Sequence, residues 1–126
     1  MLCSKCNKDL PEASFPYRNK STGHRRTECY ECNRLLQQQI YLRNVEYINQ
    51  WKSQGCCKCG DKRIYVIDAH HIDPEVKDKD LAILKVNCSL ERIQKELDKC
   101  VPFCANCHRA FHYSNLTLED FMATEV

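Results

Sequence analysis

The chain has 126 residues, of which 11 are cysteines and 5 are histidines, and its 19 Lys and Arg residues nearly balance 17 Asp and Glu residues. This length predicts one small domain, or a domain with an appendage, and it excludes a large buried core. No apolar run approaches the ~20 residues that cross a bilayer, so we expect no membrane-spanning segment.

The amino terminus lacks the charged and then apolar segments of a secretory signal, so we expect the protein to stay in the cytoplasm. In that reducing compartment, numerous cysteines indicate thiolates on metal ions, and their odd number favours the same interpretation. A disulfide-rich secreted protein is therefore disfavoured.

Four Cys-x-x-Cys pairs organise the sequence. Each such turn points two sulfurs at one metal, and two turns complete a tetrahedral zinc site with no open position. The simplest pairing joins the first two pairs and the last two, which predicts two structural zinc ions, although Cys57 could replace Cys56 as a ligand. The ligands are Cys3, Cys6, Cys29 and Cys32 in the first site, and Cys56, Cys59, Cys104 and Cys107 in the second.

Residues 1–32 contain few aliphatic side chains, so they are interpreted as a four-cysteine zinc module that folds only with its metal. Residues 13–27 include no acid, and their basic side chains could contact a phosphate backbone. A solvated basic loop is the alternative. The basic residues are Arg18, Lys20, His24, Arg25 and Arg26.

The total charge does not help to choose between these alternatives. The formal net charge is +2, and each tetrathiolate zinc site carries a net charge of −2. Two such sites would bring the chain to about −2, so only the local cluster of basic residues favours nucleic-acid binding.

Residues 33–54 are predicted to form a linking helix. Positions 33–52 contain neither Gly nor Pro, and their apolar residues recur near helical spacing. We interpret Trp51, near the end of this helix, as a core contact rather than as part of a binding site.

Residues 55–114 are predicted to form an α+β domain around the second zinc site, followed by a tail of no evident chemistry at 115–126. The β-branched and aromatic run at 64–67 predicts a strand, and 75–87 is interpreted as an ordered loop. Ser89 is expected to cap a short helix. A second strand at 101–103 would lead into the last Cys-x-x-Cys pair and a helix.

Four of the five histidines fall into two groups, His70-His71 and His108-x3-His112. Adjacent residues of a strand point to opposite faces, so His70 and His71 must have different roles. Positions four apart on a helix share one face, so His108 and His112 can bind one ion together. The alternative is that His108 or His112 completes a zinc site in place of a cysteine.

Three motifs of this region resemble the zinc-containing HNH endonucleases, whose active site is the ββα-metal motif. They are Cys-x-x-Cys-Gly at 56–60, Asp-x-His-His-Ile-Asp-Pro at 68–74, and Leu-Asp-Lys-Cys-Val-Pro-Phe-Cys-Ala-Asn-Cys-His-Arg-x-Phe-His at 97–112. The resemblance covers residues 55–113, and residues 1–52 resemble the amino-terminal extension of small phage-type members.

The resemblance implies that His70, His108 and His112 bind a catalytic divalent metal, which could be Mg²⁺, Mn²⁺, Ni²⁺ or Zn²⁺. It implies that His71 is the general base in hydrolysis of DNA phosphodiester bonds, by nicking or by cutting both strands. Arg109, beside the helical ligand, is a candidate phosphate contact, with a plain surface arginine as the alternative. Asp68 shares a strand face with His70 and is expected to fix its tautomer.

One position departs from the family pattern. Lys99 stands where the family usually has an asparagine that holds the loop carrying the base. Asn87 or Asp98 could supply that contact instead, or the chain could belong to a variant branch that manages without it.

The leading hypothesis is therefore a phage-type HNH endonuclease acting on double-stranded DNA in the host cytoplasm. The alternative is a non-catalytic zinc-binding adaptor that recognises nucleic acid or protein, for which His71 would be dispensable.

Overall fold

The computed structural model describes residues 1–125, which form two compact units, with the boundary between Leu42 and Arg43. Helices combine with two small two-stranded antiparallel sheets, which confirms the α+β class. Within the described residues, no helix has both the length and the apolar character needed to cross a bilayer.

The first unit is organised by two short strands and by its cysteines. A 3-10 turn, Glu12–Ser14, precedes β1 (Tyr17–Asn19), which pairs with β2 (His24–Arg25). Phe15 is fully buried at the centre of this unit. The residues packed with it are Cys3, Cys6, Leu10, Cys29 and Cys32. Because cysteines supply most of this small cluster, we expect the unit to need metal in order to fold.

The long helix α1 spans Tyr30–Lys52 and begins three residues before the predicted start at position 33. The second Cys-x-x-Cys pair runs directly into its first turn, where the Asn33 N–H donates to the Cys29 carbonyl at 2.9 Å. Near its carboxyl end, Ile48 is buried and Trp51 packs against the same cluster, as predicted.

The second unit is built on one antiparallel strand pair. β3 (Ile67–His71) pairs over its whole length with β4 (Cys100–Cys104), so that Ile67 lies opposite Cys104 and His71 opposite Cys100. Helix α4 (Ala105–Ser114) begins directly after β4. This arrangement brings side chains of β3 close to those of α4.

The strand predicted at 64–67 is wrong in its position. Ile64–Val66 forms a 3-10 turn, and the strand starts at Ile67. The apolar run has the composition of a strand, but pairing with the five residues of β4 decides which residues are extended.

Two helices pack beside this strand pair. The region expected to be a loop at 75–87 contains a 3-10 turn, Pro74–Val76, and the short helix α2 (Leu81–Leu84). Helix α3 (Leu90–Leu97) begins where predicted. Ser89 is its N-cap, and the Ser89 side chain accepts the Arg92 N–H at 3.3 Å. The buried residues that hold these helices are Ile48, Leu84, Ile93 and Leu97.

The predicted tail contains helix α5 (Leu118–Ala123), and its last residue, Val126, lies outside the described residues. Phe121 of α5 is buried, with ring centroids 5.8 Å from Phe103 and 5.3 Å from Phe111. Lys58 donates to the carbonyls of Phe121 and Thr124, which fastens the end of α5. The carboxyl-terminal helix is therefore part of the core.

We expect Phe121→Ala to lower the free energy of unfolding by about 3 kcal/mol, because it removes a buried aromatic side chain. Tyr113→Ala should change it by less than about 0.5 kcal/mol, since Tyr113 is 93% exposed. Urea unfolding of zinc-loaded proteins measures both. Equal losses in the two variants would contradict this role of Phe121.

Candidate metal centres and histidine site

The first four predicted zinc ligands converge. The sulfurs of Cys3, Cys6, Cys29 and Cys32 lie within 4.8 Å of one another. Cys3 Sγ is 3.9 Å from Cys32 Sγ, and Cys6 Sγ is 3.9 Å from Cys29 Sγ. Tetrahedral zinc with Zn–S bonds of ~2.3 Å separates its sulfurs by about 3.8 Å. The group could therefore hold a zinc ion.

The backbone of the first Cys-x-x-Cys turn favours a thiolate. N–H groups of Lys5, Cys6 and Cys29 approach Cys3 Sγ at 3.4, 3.5 and 3.3 Å. Hydrogen bonds from Cys6, Cys29 and Lys5, in that order, outweigh burial and lower the pKa of Cys3 to about 6. The ionised sulfur is the form that binds metal.

The second predicted group also converges, and it too could hold zinc. Its sulfurs are those of Cys56, Cys59, Cys104 and Cys107. Cys59 Sγ lies 3.6 Å from Cys104 Sγ. Cys57 lies outside this group, and its sulfur is 3.9 Å from Met122 Sδ, so the geometry favours Cys56 as the ligand.

Three histidines form a third group. His70 on β3 meets His108 and His112 on α4, with one ring nitrogen of each within 4.8 Å of the others. His108 Nε2 is 3.1 Å from His70 Nδ1 and 3.1 Å from His112 Nε2. Imidazole nitrogens on one zinc ion at ~2.0–2.1 Å are separated by about 3.3 Å. These histidines could therefore bind a metal together, rather than completing a cysteine site.

The surroundings of His70 keep its ring neutral. Its ring contacts those of Phe103 and Phe111, with centroids 5.5 and 4.9 Å away. Burial, together with the nearby rings of His108 and His112, lowers the pKa of His70 to about 4. A neutral imidazole keeps the lone pair that a metal needs.

Asp68 has a different partner from the one expected. Its Oδ2 lies 3.1 Å from His108 Nδ1, not beside His70. With Nδ1–H donating to this carboxylate, the lone pair of His108 is on Nε2, which faces His70 and His112. Asp68 therefore fixes the tautomer of a helical histidine from the neighbouring strand.

His71 lies apart from the three-histidine group and contacts a buried acid instead. His71 Nε2 is 2.6 Å from Oε1 of Glu96, whose side chain is 1% exposed. Burial would raise the pKa of Glu96, but hydrogen bonds from Lys99, His71 and the Asp78 N–H lower it below its usual range. Glu96 is therefore a buried carboxylate that orients the His71 ring.

Sequence reasoning missed Glu96, although a signal for it exists. Glu96 shares the buried face of α3 with Ile93 and Leu97, where a charged residue is unusual. A lone acid within an apolar helical stripe indicates a partner of opposite charge or a hydrogen-bonding role.

Lys99 contacts the loop that follows His71. Its Nζ donates to the Val76 carbonyl at 2.8 Å and to Glu96 Oε2 at 3.0 Å. Val76 belongs to the turn that follows His71. Lys99 therefore ties this loop to the end of α3.

A cavity of about 320 Å³ opens beside His71. Asn49 and Lys52 of α1, together with Lys77 and Lys85, are among its lining residues. Lys77 pairs with Asp80, which also lines the cavity. The space next to His71 is therefore lined by lysines as well as by apolar side chains.

The basic residues of the first unit have different surroundings. Arg25 donates to the Phe15 carbonyl and to the Tyr17 hydroxyl, both at 2.8 Å, and stacks on the Tyr17 ring. Arg18 and Arg26 are exposed and line a cavity of about 190 Å³. Lys20 is exposed as well, so of these four residues only Arg25 also supports the local fold.

Arg109, in the second unit, is exposed on α4 beside His108.

No family model matches the chain, and no curated protein or solved structure shows significant similarity to it. Its function must therefore be inferred from the chemistry and geometry of its own residues.

We expect Cys29→Ser to lose one of two bound zinc equivalents and to unfold the first unit, because it removes a ligand from that unit's centre. Cys57→Ser should keep both equivalents. Metal analysis by mass spectrometry and amide hydrogen exchange measure these outcomes. Zinc loss from Cys57→Ser would contradict the ligand set.

Removing the Asp68 carboxylate should weaken metal binding at the three histidines. We expect Asp68→Ala to lower Ni²⁺ affinity about 10- to 100-fold while two zinc equivalents stay bound, because His108 loses the hydrogen bond that orients it. Calorimetric titration of the zinc-loaded protein gives the affinity. Asp98→Ala, at an exposed position, should behave like the wild type; an equal loss there would refute the role of Asp68.

Proposed function

We propose that the chain is a metal-dependent HNH endonuclease that hydrolyses phosphodiester bonds of double-stranded DNA. The observation that carries this proposal is the arrangement around β3. His70 meets His108 and His112 at one point, while the next residue, His71, contacts a buried carboxylate. A metal site and an oriented imidazole in adjacent positions are the two elements that metal-assisted hydrolysis needs.

In the proposed reaction, His71 is the general base. Glu96 accepts the Nε2–H of His71, so Nδ1 is free to take a proton from water as the water oxygen attacks phosphorus. The bond from phosphorus to the 3′ oxygen then breaks, and the departing oxygen gains a proton from solvent. The products are a 5′-phosphate and a 3′-hydroxyl. Imidazole is the side chain best suited to accept a proton near neutral pH.

His70, His108 and His112 would hold the catalytic cation, for which Mg²⁺, Mn²⁺, Ni²⁺ and Zn²⁺ are the candidates. The bound cation would supply positive charge to stabilise the phosphate and the departing oxygen. Because all three ligands are uncharged imidazoles, none of them would neutralise that charge. The two cysteine groups would hold structural zinc.

Several basic side chains would contact the DNA backbone. Arg109 follows His108 on α4, and Lys52 and Lys85 line the cavity beside His71. In the first unit, Arg18, Lys20 and Arg26 are exposed and could meet further phosphates. Contacts of this kind hold a duplex in place without reading its sequence.

Conversion of supercoiled plasmid to nicked or linear DNA tests the proposal, with Mg²⁺, Mn²⁺, Ni²⁺ or EDTA. We expect cutting only with metal, and a loss of about 10²- to 10⁴-fold in His71→Ala because it removes the base. Ile72→Ala is the matched control, because Ile72 follows His71 in the sequence and its own side chain is 54% exposed. Both variants should keep two zinc equivalents.

Failure of the folded, zinc-loaded wild type to cut any of several DNA substrates would refute the nuclease proposal. A non-catalytic zinc-binding adaptor would then be favoured. Full activity in His71→Ala would instead refute the assignment of the base.

A further inference from the structure

We infer that Glu96 and Lys99 form a positioning pair that fixes which ring nitrogen of His71 accepts the proton. Glu96 holds Nε2, and Lys99 ties Glu96 to the loop that follows His71. This inference rests on the proposed nuclease function, but its orienting part can be tested without DNA cleavage. Neither residue would touch the substrate.

The burial of Glu96 is the first argument. Its side chain is 1% exposed and lies among Ile93 and Leu97 on the inner face of α3. A buried charge is costly unless it is fully hydrogen-bonded, and a buried ion pair is weak evidence for stability alone. The arrangement is better explained by the orientation that it imposes on its partner.

All the polar partners of Glu96 converge on the region of His71. Oε1 accepts from His71 Nε2 at 2.6 Å and from the Asp78 N–H at 3.1 Å. Oε2 accepts from Lys99 Nζ at 3.0 Å. Because the carboxylate only accepts hydrogen bonds, the proton of a neutral His71 ring must lie on Nε2 and the lone pair on Nδ1.

Lys99 fastens the loop as well as the acid. Its Nζ bridges Glu96 and the Val76 carbonyl, and the side chain is 33% exposed. The ammonium therefore links the end of α3 to the turn that begins three residues after His71. Loss of this link would remove one hydrogen bond from the Glu96 carboxylate and one from the loop, so both would be held less firmly.

Arg92, one turn before Glu96 on α3, also holds the loop that follows His71. Arg92 binds the Asp78 carboxylate through Nε at 2.7 Å and Nη2 at 2.8 Å. Arg92, Glu96 and Lys99 are spaced by four and then three residues, so they form one stripe along α3 and the turn after it. The stripe holds the loop on the carboxyl-terminal side of His71 at three points.

The decisive substitution is Glu96→Gln, which keeps the size of the side chain. A glutamine amide can donate to Nε2 and so stabilise the wrong tautomer of His71. We expect kcat for plasmid nicking to fall about 10²- to 10⁴-fold, with KM changed less than about twofold. Lys99→Met should lower kcat as well, and Lys99→Arg should restore part of it, because a guanidinium can still bridge the two oxygens.

Glu91→Gln and Lys95→Met are the matched controls. These residues form an exposed ion pair on the same helix, with N–O distance 3.4 Å, so kcat should be unchanged. Zinc content and the unfolding midpoint are measured for every variant. If Glu96→Gln does not fold, Lys99→Met and Lys99→Arg carry the test.

The second readout is the tautomer of His71 in the zinc-loaded protein, measured by long-range proton–nitrogen NMR of labelled histidine. We expect the Nε2–H form in the wild type and its loss in Glu96→Gln. A wild type with Nδ1–H, or an unchanged kcat in folded Glu96→Gln and Lys99→Met, would overturn the inference. An Nε2–H wild type that cuts no DNA would support the orienting role while refuting the proposed function.

Discussion

The second unit depends on the position of Cys104, where a strand, a helix and the second group of four cysteines meet. Cys104 is the last residue of β4 and lies opposite Ile67 in the strand pair. Its sulfur caps α4 by accepting the Cys107 N–H at 3.4 Å, and it lies 3.6 Å from Cys59 Sγ. One side chain therefore sets where α4 starts relative to β3, and with it the distance from His70 to the helical histidines.

Side chains on the two faces of β3 contact different neighbours, because successive residues of a strand point to opposite faces. Asp68 and His70 point towards α4, where they meet His108. His71 contacts Glu96 instead. His70, which could bind a metal, and His71, which a carboxylate orients, can thus be adjacent in sequence without competing for one partner.

Spacing in the sequence anticipated the parts of the fold that local geometry determines. The Cys-x-x-Cys turns, the four-residue separation of His108 and His112, and the cap at Ser89 needed no knowledge of distant residues. The position of β3 was missed because pairing with β4 selects it. The Asp68 partner was missed because the packing of helix α4 against β3 brings His108 to this carboxylate. Glu96 was missed because its burial depends on tertiary packing between α3 and the loop after His71.

The separation of the second cysteine group along the chain couples its formation to the sheet. Cys59 and Cys104 are 45 positions apart, so bringing these sulfurs together in an unfolded chain costs about 3 kcal/mol of closure entropy. Once β3 and β4 have paired, Cys104 is already held opposite Ile67 at the start of β3. Most of the loss of chain entropy has then occurred before the sulfurs meet. Binding of a metal ion by these cysteines would therefore reinforce strand pairing, and we expect the second unit to assemble in one cooperative transition.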